Sequence, residues 1–325
     1  MRVVALEEHF LLPSLIEERF DPEVKKGMSW LTPSLSAELA DLGQGRLAAM
    51  DGSGITVQVL SASMPGADLL DGADGIGFAR ATNDRLAQAV RDNQGRFAGF
   101  AHLPMRSPEA AADELERAVR ELGFRGAMIN GMTEGRFLDH PSFAPLLERS
   151  VMLDVPLYLH PNLPPKPVVE AYYDGLPGIG GPMLATGIFG WHAEVGIHVF
   201  RLALSGTLQR YPGLKIIVGH MGEMLPFMLG RADQVLRGRP GFERPISEII
   251  VNQVYITTAG FFTIPPFLNA LTTFGADRIL FSVDYPYSSN VPGRALLDML
   301  PVSPADKVKI AYANADRLLK LDVAG

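Results

Sequence analysis

The stretch Val3-Val4-Ala5-Leu6-Glu7-Glu8-His9-Phe10 is an apolar run followed by charged residues, and it decides how the rest of the chain is interpreted. If it forms a buried strand, the alternation of side chains places Glu7 and His9 on one face and Glu8 on the other. A carboxylate and an imidazole are costly to bury without partners. The pair therefore indicates either a functional site or the solvated end of a surface strand.

Seven more strand-like runs follow, and helical patterns separate them. The runs are Ile55 to Ala62, Phe97 to Leu103, Phe124 to Asn130, Pro156 to His160, Leu214 to His220, Val254 to Thr258 and Arg278 to Asp284. This alternation, without a low-complexity linker, predicts an α/β fold: a single (β/α)8 TIM-type barrel that forms one domain over residues 1–325. A doubly wound open sheet is the alternative, but no Gly-rich phosphate loop supports it.

Two segments between the strands carry further predictions. Ser36 to Met50 has a helical pattern that Gly52 and Gly54 end. The segment from Asn162 to Gly190, after the fifth strand, is rich in Pro and Gly and too long for a plain connection. We therefore predict a long loop insertion there, which is a candidate lid over a site.

Composition excludes several classes of function. A net charge of -7 gives no basic surface for nucleic acid or for an anionic membrane. The uncharged segment from Gly175 to Ala193 is interrupted by prolines, so we expect no membrane span. The first apolar run is short and broken by glutamates, which does not match a signal peptide, so the cytoplasm is the expected location. Because the chain has no Cys, histidines and carboxylates must hold any metal.

Polar side chains gather at the C-terminal ends of the predicted strands, where barrel enzymes carry their chemistry. These ends carry Glu7, His9, His102, Asn130, His160, His220 and Asp284. A single histidine in such a place is more often a core residue than a ligand, but the convergence indicates a metal site. Two imidazoles and two carboxylates of this set suit Zn2+ or Mn2+. They are Glu7, His9, His160 and Asp284. Because no Lys ends the fourth strand to form a bridging carbamate, we expect one ion.

Four motifs resemble the amidohydrolase superfamily, and specifically its decarboxylase branch. They are Leu6-Glu7-Glu8-His9-Phe10, Tyr158-Leu159-His160-Pro161, Gly219-His220-Met221-Gly222-Glu223 and Arg278-Ile279-Leu280-Phe281-Ser282-Val283-Asp284-Tyr285-Pro286. The chain is most similar, nearly end to end, to the γ-resorcylate (2,6-dihydroxybenzoate) and 2,3-dihydroxybenzoate decarboxylases. Most amidohydrolases carry His-x-His in the first strand, whereas Glu7-x-His9 is the pattern of the hydroxybenzoate decarboxylases.

The resemblance implies a carboxy-lyase with one divalent ion, Zn2+ or Mn2+, no organic cofactor, and a small aromatic acid as substrate. It implies substrate contacts from Asn130, from Arg231, which can come from a neighbouring subunit, and from the aromatic residues Phe20 and Tyr287. A homo-oligomer, either a dimer or a tetramer, is therefore expected. Tyr287 departs from the resorcylate enzymes, which have Phe there. His192, at the end of the insertion, either lines the pocket or is a solvated loop residue.

A mechanism follows as a hypothesis. The ring carbon that bears the carboxylate must be protonated before CO2 leaves, because an unstabilised aryl carbanion would otherwise remain. Asp284 is the candidate proton donor, and His220 with Glu223 would orient and reload it. Two other classes stay open. One is metal-dependent hydrolysis of a lactone, amide or ester by the same residues, and the other is a non-catalytic barrel that binds a small ligand.

Overall fold

The computed structural model describes residues 1–28 and 30–321. Within this part of the chain, eight parallel strands alternate with helices, and each predicted run contains one strand. The strands are β1 (Val4–Phe10), β2 (Val57–Ala62), β3 (Phe97–Gly99), β4 (Ala127–Asn130), β5 (Leu157–His160), β6 (Ile216–Val218), β7 (Val254–Thr257) and β8 (Ile279–Leu280). Several are shorter than predicted, because the flanking apolar residues lie outside the regular strand pairing.

The strands pair in chain order. β1, β2 and β3 form one sheet, and β4 to β8 form another. Isolated parallel bridges join the two sheets at both seams, between Ala101 and Ala127 and between Glu8 and Tyr285. The His9 N–H also donates to the Tyr285 carbonyl, at 2.6 Å. The predicted TIM-type barrel is confirmed, with the first strand lying beside the segment that follows the last one.

Helices follow or precede each strand. In the first half they are α1 (Pro13–Arg19), α2 (Pro22–Gly27), α3 (Pro33–Ala40), α4 (Gln44–Ser53), α5 (Gly72–Asp92), α6 (Pro108–Arg120) and α7 (Ala144–Leu153). In the second half they are α8 (Lys166–Tyr172), α9 (Gly180–Met183), α10 (Gly190–Leu204), α11 (Thr207–Arg210), α12 (Leu225–Leu236), α13 (Ile246–Gln253), α14 (Ile264–Phe274), α15 (Asn290–Met299), α16 (Pro304–Val308) and α17 (Asn314–Leu319). None of the helices in the described residues combines the length and the apolar character that crossing a membrane requires.

The prediction of one helix from Ser36 to Met50 was wrong, because α3 ends at Ala40 and α4 begins at Gln44. Asp41 explains the break. Its carboxylate accepts hydrogen bonds from the Gly43 N–H at 2.7 Å and from the Arg46 N–H at 2.9 Å. An acidic side chain that binds free N–H groups at a helix start favours a new helix over continuation of the old one.

The insertion after β5 is present, but it is not the plain loop that its Pro and Gly content predicted. It contains α8, α9, a π-helical turn at Leu184–Ile188 and the start of α10. Proline is compatible with these helices where it lies in a first turn, as Pro167 does in α8, because the N–H groups there lack helical partners in any case. The insertion is therefore a set of short helices packed near the C-terminal end of the barrel.

A bulge in β1 sets which side chains enter the barrel. Val4 pairs with Val57, but the register shifts between Ala5 and Glu8, so that Glu8 pairs with Leu60 and His9 with Ser61. Leu6 belongs to the apolar cluster that fills the barrel with Val59, Phe100, Met128 and Tyr158. The shift adds one residue to β1, so that Leu6 and Glu7, which are neighbours in sequence, both face the inside of the barrel. Bulges commonly redirect a side chain beside a functional site in this way.

Candidate active site

Four predicted ligands meet at the C-terminal end of the barrel. Glu7 and His9 come from β1, His160 from the last position of β5, and Asp284 from the segment after β8. One ligand atom from each lies within 4.8 Å of all the others. His9 Nε2 is 3.2 Å from Asp284 Oδ1, and His160 Nε2 is 3.6 Å from Glu7 Oε1. The structure thus brings together the set that the strand ends indicated.

The donor atoms of this cluster suit a divalent cation. Glu7 Oε1, His9 Nε2 and Asp284 Oδ1 are buried and make no hydrogen bond with the described residues. Burial raises the pKa of Glu7 and lowers the pKa of His160 to about 3. A neutral imidazole is the form that binds metal, and a bound cation would offset the cost of burying two carboxylates. The residues present therefore fit one such ion.

Tyr158 fixes the orientation of Glu7. The Tyr158 hydroxyl donates a short hydrogen bond to Glu7 Oε2, and Thr257 Oγ1 lies 3.0 Å from the same hydroxyl. Oε2 is therefore occupied and Oε1 is left for the cluster. This role of Tyr158 was not predicted from the sequence, although a polar tip at an inward position two residues before His160 was the signal for it.

Glu8 lies on the opposite face, as predicted, and holds the backbone on both sides of Asp284. It accepts hydrogen bonds from the Val283 N–H at 3.0 Å and from the Tyr285 N–H at 3.2 Å. Asp284 has a left-handed backbone with φ of 74°, a conformation that costs free energy in any residue but Gly. Burial raises the pKa of Glu8 to about 8. Glu8 thus supports a strained backbone that places a candidate ligand.

His220 and Glu223 occupy the turn after β6. His220 Nδ1 is 2.6 Å from Glu223 Oε1, while His220 Nε2 faces the ligand cluster, 3.8 Å from Glu7 Oε1 and 3.9 Å from Asp284 Oδ2. Burial opposes the charge on His220, but Glu223 and Glu7 outweigh it and raise its pKa well above the usual value. Burial also opposes ionisation of Asp284, but the imidazoles of His220 and His9 hold its pKa at about 2.

His192 is not the solvated loop residue that one interpretation proposed. It lies in the first turn of α10 and is 5 % exposed. Its Nδ1 is 2.6 Å from Glu223 Oε2, and its Nε2 is 3.0 Å from the Gly187 carbonyl oxygen. The insertion after β5 thereby reaches the turn that carries His220.

Two of the predicted substrate contacts lie beside the cluster. Asn130, at the end of β4, is buried and paired in register with His160. The ring centre of Tyr287 is 5.4 Å from that of His9, and its hydroxyl hydrogen-bonds with Ser63 Oγ. Both residues are therefore placed along the wall of the candidate site.

Three other residues from the sequence analysis have different surroundings. Phe20 packs edge-on against Phe78, with ring centres 5.2 Å apart, in an apolar cluster beside α1. Arg231 is exposed on α12. His102, which ends the third predicted strand, accepts a hydrogen bond from the Ala67 N–H at 2.8 Å, and burial lowers its pKa to about 4. Its position at a strand end thus reflects a structural role.

Comparisons with known proteins agree with this geometry. A family model described as amidohydrolase matches residues 14–321. A gamma-resorcylate decarboxylase from Rhizobium sp. is 37% identical over an alignment of 335 positions, which covers 99% of each chain. The structure of a dihydroxybenzoic acid decarboxylase from Polaromonas sp. JS666, with bound manganese and the inhibitor 2-nitroresorcinol, is similar with a TM-score of 0.89 and 36% identity, over 99% of this chain and 98% of that one. The structure of a 5-carboxyvanillate decarboxylase from Sphingomonas paucimobilis is similar with a TM-score of 0.90 and 29% identity, over 99% of each chain.

Proposed function

Because this chain belongs to the amidohydrolase family, we propose that it is a metal-dependent decarboxylase, which removes CO2 non-oxidatively from an ortho-hydroxy aromatic acid such as a dihydroxybenzoate. The observation that carries the proposal is the buried cluster of Glu7, His9, His160 and Asp284, whose ligand atoms lie within 4.8 Å of one another. The reaction is reversible in principle, so the same site can carboxylate a phenol.

The proposed cofactor is one divalent ion, Mn2+ or Zn2+, held by these four residues, with no organic cofactor. Manganese is supported by the Polaromonas relative, which binds it. When bound, such an ion supplies Lewis acidity that orients the carboxylate and the adjacent phenol oxygen of the substrate and takes up negative charge.

Asp284 is the proposed proton donor to the ring carbon. Its Oδ1 belongs to the ligand cluster and its Oδ2 faces His220 Nε2. The pKa values favour a proton resting on His220 and a carboxylate at Asp284. We propose that this proton passes through Oδ2 to the ring carbon, forming a C–H bond. The C–C bond then breaks, its electrons return to the ring, and CO2 leaves. Glu223 orients His220 throughout.

Substrate contacts are proposed for Asn130 and Tyr287, whose side chains lie along the wall of the site. The ring of Tyr287 continues outward to Trp30, with ring centres 6.1 Å apart. This aromatic surface suits a planar ring as substrate. Phe20, whose ring packs against Phe78, is retained as a proposed substrate contact on the basis of the family resemblance alone.

A homo-oligomer, dimer or tetramer, is proposed on the basis of the surface of α12. Exposed apolar side chains recur there at helical spacing and share one face with Arg231. They are Met224, Phe227, Met228 and Val235. Phe227 is 79% exposed, which is unusual for a large aromatic side chain. Arg231 forms no ion pair with the described residues, so we propose that it serves the site of a neighbouring subunit. The cytoplasmic location stays a prediction.

The test is incubation of the metal-loaded protein with a panel of hydroxybenzoates, with measurement of CO2 and of the decarboxylated phenol. We expect turnover of an ortho-hydroxy acid, its loss after treatment with a chelator, and its recovery with Mn2+ or Zn2+. Asp284→Asn should abolish it. No product from the whole panel, together with hydrolysis of a lactone, amide or ester, would contradict the proposal and identify a hydrolase.

A further inference from the structure

We propose that His192 is a positioning residue for this reaction: it holds Glu223, and through Glu223 it holds His220, without touching the substrate. The inference rests on the proposed decarboxylation, in which His220 supplies the proton. It differs from the expectation that His192 lines the substrate pocket.

The first argument is the way Glu223 is shared. Each of its carboxylate oxygens lies 2.6 Å from the Nδ1 of a different histidine, Oε1 from His220 and Oε2 from His192. An ionised carboxylate accepts hydrogen bonds and cannot donate them. Both Nδ1 atoms must therefore donate. With Nδ1 of His220 committed in this way, its Nε2 is directed at Asp284 and the ligand cluster.

The second argument is that both ring nitrogens of His192 lie next to protein acceptors. Nδ1 faces Glu223 Oε2, and Nε2 lies 3.0 Å from the Gly187 carbonyl oxygen, which can only accept. The carboxylate of Glu223 is 1% exposed, and a buried carboxylate is costly unless hydrogen-bond donors surround it. Since both nitrogens are occupied by protein acceptors, His192 has no donor left for a substrate.

The third argument is the strained backbone of the turn. His220, Met221, Glu223 and Met224 all have positive φ, between 48° and 67°. A turn with this many left-handed residues persists only when its surroundings hold it. α10 supplies that support. It carries His192, and it packs closely against the turn at Gly196, where a Cβ would lie only 3.0 Å from the Glu223 carbonyl oxygen. The ring of Phe261 covers both imidazoles, with centre distances of 5.3 Å to His192 and 5.9 Å to His220.

The kinetic test separates positioning from substrate contact. In His192→Phe the ring volume stays but both donors are lost, and we expect kcat to fall about ten- to a hundredfold, as for the loss of one charged hydrogen bond. KM should stay within about twofold. His192→Asn retains an N–H donor near the position of Nδ1 and should recover much of kcat. A rise in KM with kcat unchanged would overturn the proposal.

A matched control lies on the same helix. His198 is also buried in α10, and its Nε2 accepts a hydrogen bond from the Leu138 N–H at 3.0 Å. Gln can accept the same bond, so His198→Gln disturbs α10 without touching Glu223. We expect kcat and KM to match the wild type in this control.

A second measurement does not depend on turnover. With 15N-labelled histidine, NMR of the wild-type protein should show hydrogen-bonded Nδ1–H signals from both His192 and His220, and the His192 signal should be absent from His192→Phe. The Nδ1–H of His220 should show a changed hydrogen bond in His192→Phe and an unchanged one in His198→Gln. A His192 ring without a proton on Nδ1 would overturn the inference. If no hydroxybenzoate is turned over, the proposed function fails, and the NMR result still decides the role of His192.

Discussion

The two carboxylate oxygens of Glu7 have different surroundings. Oε2 accepts the hydroxyl proton of Tyr158, while Oε1 lies in the ligand cluster without a hydrogen-bond partner among the described residues. Space is also limited here, since a Cβ at Gly219 would lie 2.6 Å from Oε2. The carboxylate therefore has little freedom to rotate. A ligand held in one orientation before the metal arrives loses less conformational entropy on binding.

We predict that Tyr158→Phe weakens metal binding by about ten- to a hundredfold, the range typical for loss of a residue that orients a metal ligand. The ring and its packing remain, so the fold should persist. Competition with a chelator of known affinity measures the effect. Tyr255→Phe is the control, because Tyr255 also lies in the sheet but packs beneath the Arg278 guanidinium. Equal metal affinities for wild type and Tyr158→Phe would contradict the prediction.

At the scale of elements, α10 carries two buried histidines with opposite hydrogen-bond roles. His192 faces the Glu223 carboxylate and the Gly187 carbonyl oxygen, which both accept, whereas Nε2 of His198 accepts from the Leu138 N–H. Burial lowers the pKa of His198 to about 3, and Asp139 and Arg201 have smaller, opposing effects. One end of the helix thus presents an imidazole as a donor beside the site, and the middle keeps a neutral imidazole in the core.

The burial of His198 predicts that the stability of the protein depends on pH. Between the folded pKa of about 3 and the ordinary pKa of 6.5, the unfolded chain binds a proton at His198 that the folded chain does not. Stability from this residue is therefore complete above pH 6.5 and is lost as the pH falls. Relative to His198→Gln, the wild-type free energy of unfolding should fall by about 2 kcal/mol from pH 7 to pH 5. Denaturant unfolding of both proteins at each pH measures it, and a constant difference would contradict it.

The strands and helices also show which features can be predicted from the sequence and which cannot. The strand ends that carry Glu7, His9, His160 and Asp284 follow from hydrophobic runs and barrel topology alone. His102 occupies an equivalent place in the chain, yet its ring binds a backbone N–H, because which way a side chain turns after a strand depends on loops that the pattern does not describe. The helices of the insertion were missed for a related reason, since short helices owe their stability to tertiary packing more than to propensity.

For the whole molecule, the site depends on closure of the barrel. Its candidate ligands lie at positions 7, 9, 160 and 284 of the chain, and the bridge between Glu8 and Tyr285 brings the first and last of these together. Glu8 strengthens this seam through the Val283 and Tyr285 N–H groups. The site therefore exists only once the first strand and the segment after the last one are joined, which couples metal binding to folding.

The proposed role of Arg231 makes a prediction about the assembled oligomer. Arg231→Ala and Asp284→Asn should each be nearly inactive alone, because each lacks one part of every site. In a mixed dimer, the site of the Arg231→Ala subunit retains its own Asp284 and receives Arg231 from its partner. Each mixed dimer has one intact site out of two, so dimers purified through both subunits should show about half of wild-type activity. Co-expression with two affinity tags, followed by tandem purification and assay, measures it. Dimers that form but stay inactive would show that Arg231 does not act across the interface, and a monomer by light scattering would rule out the interface itself.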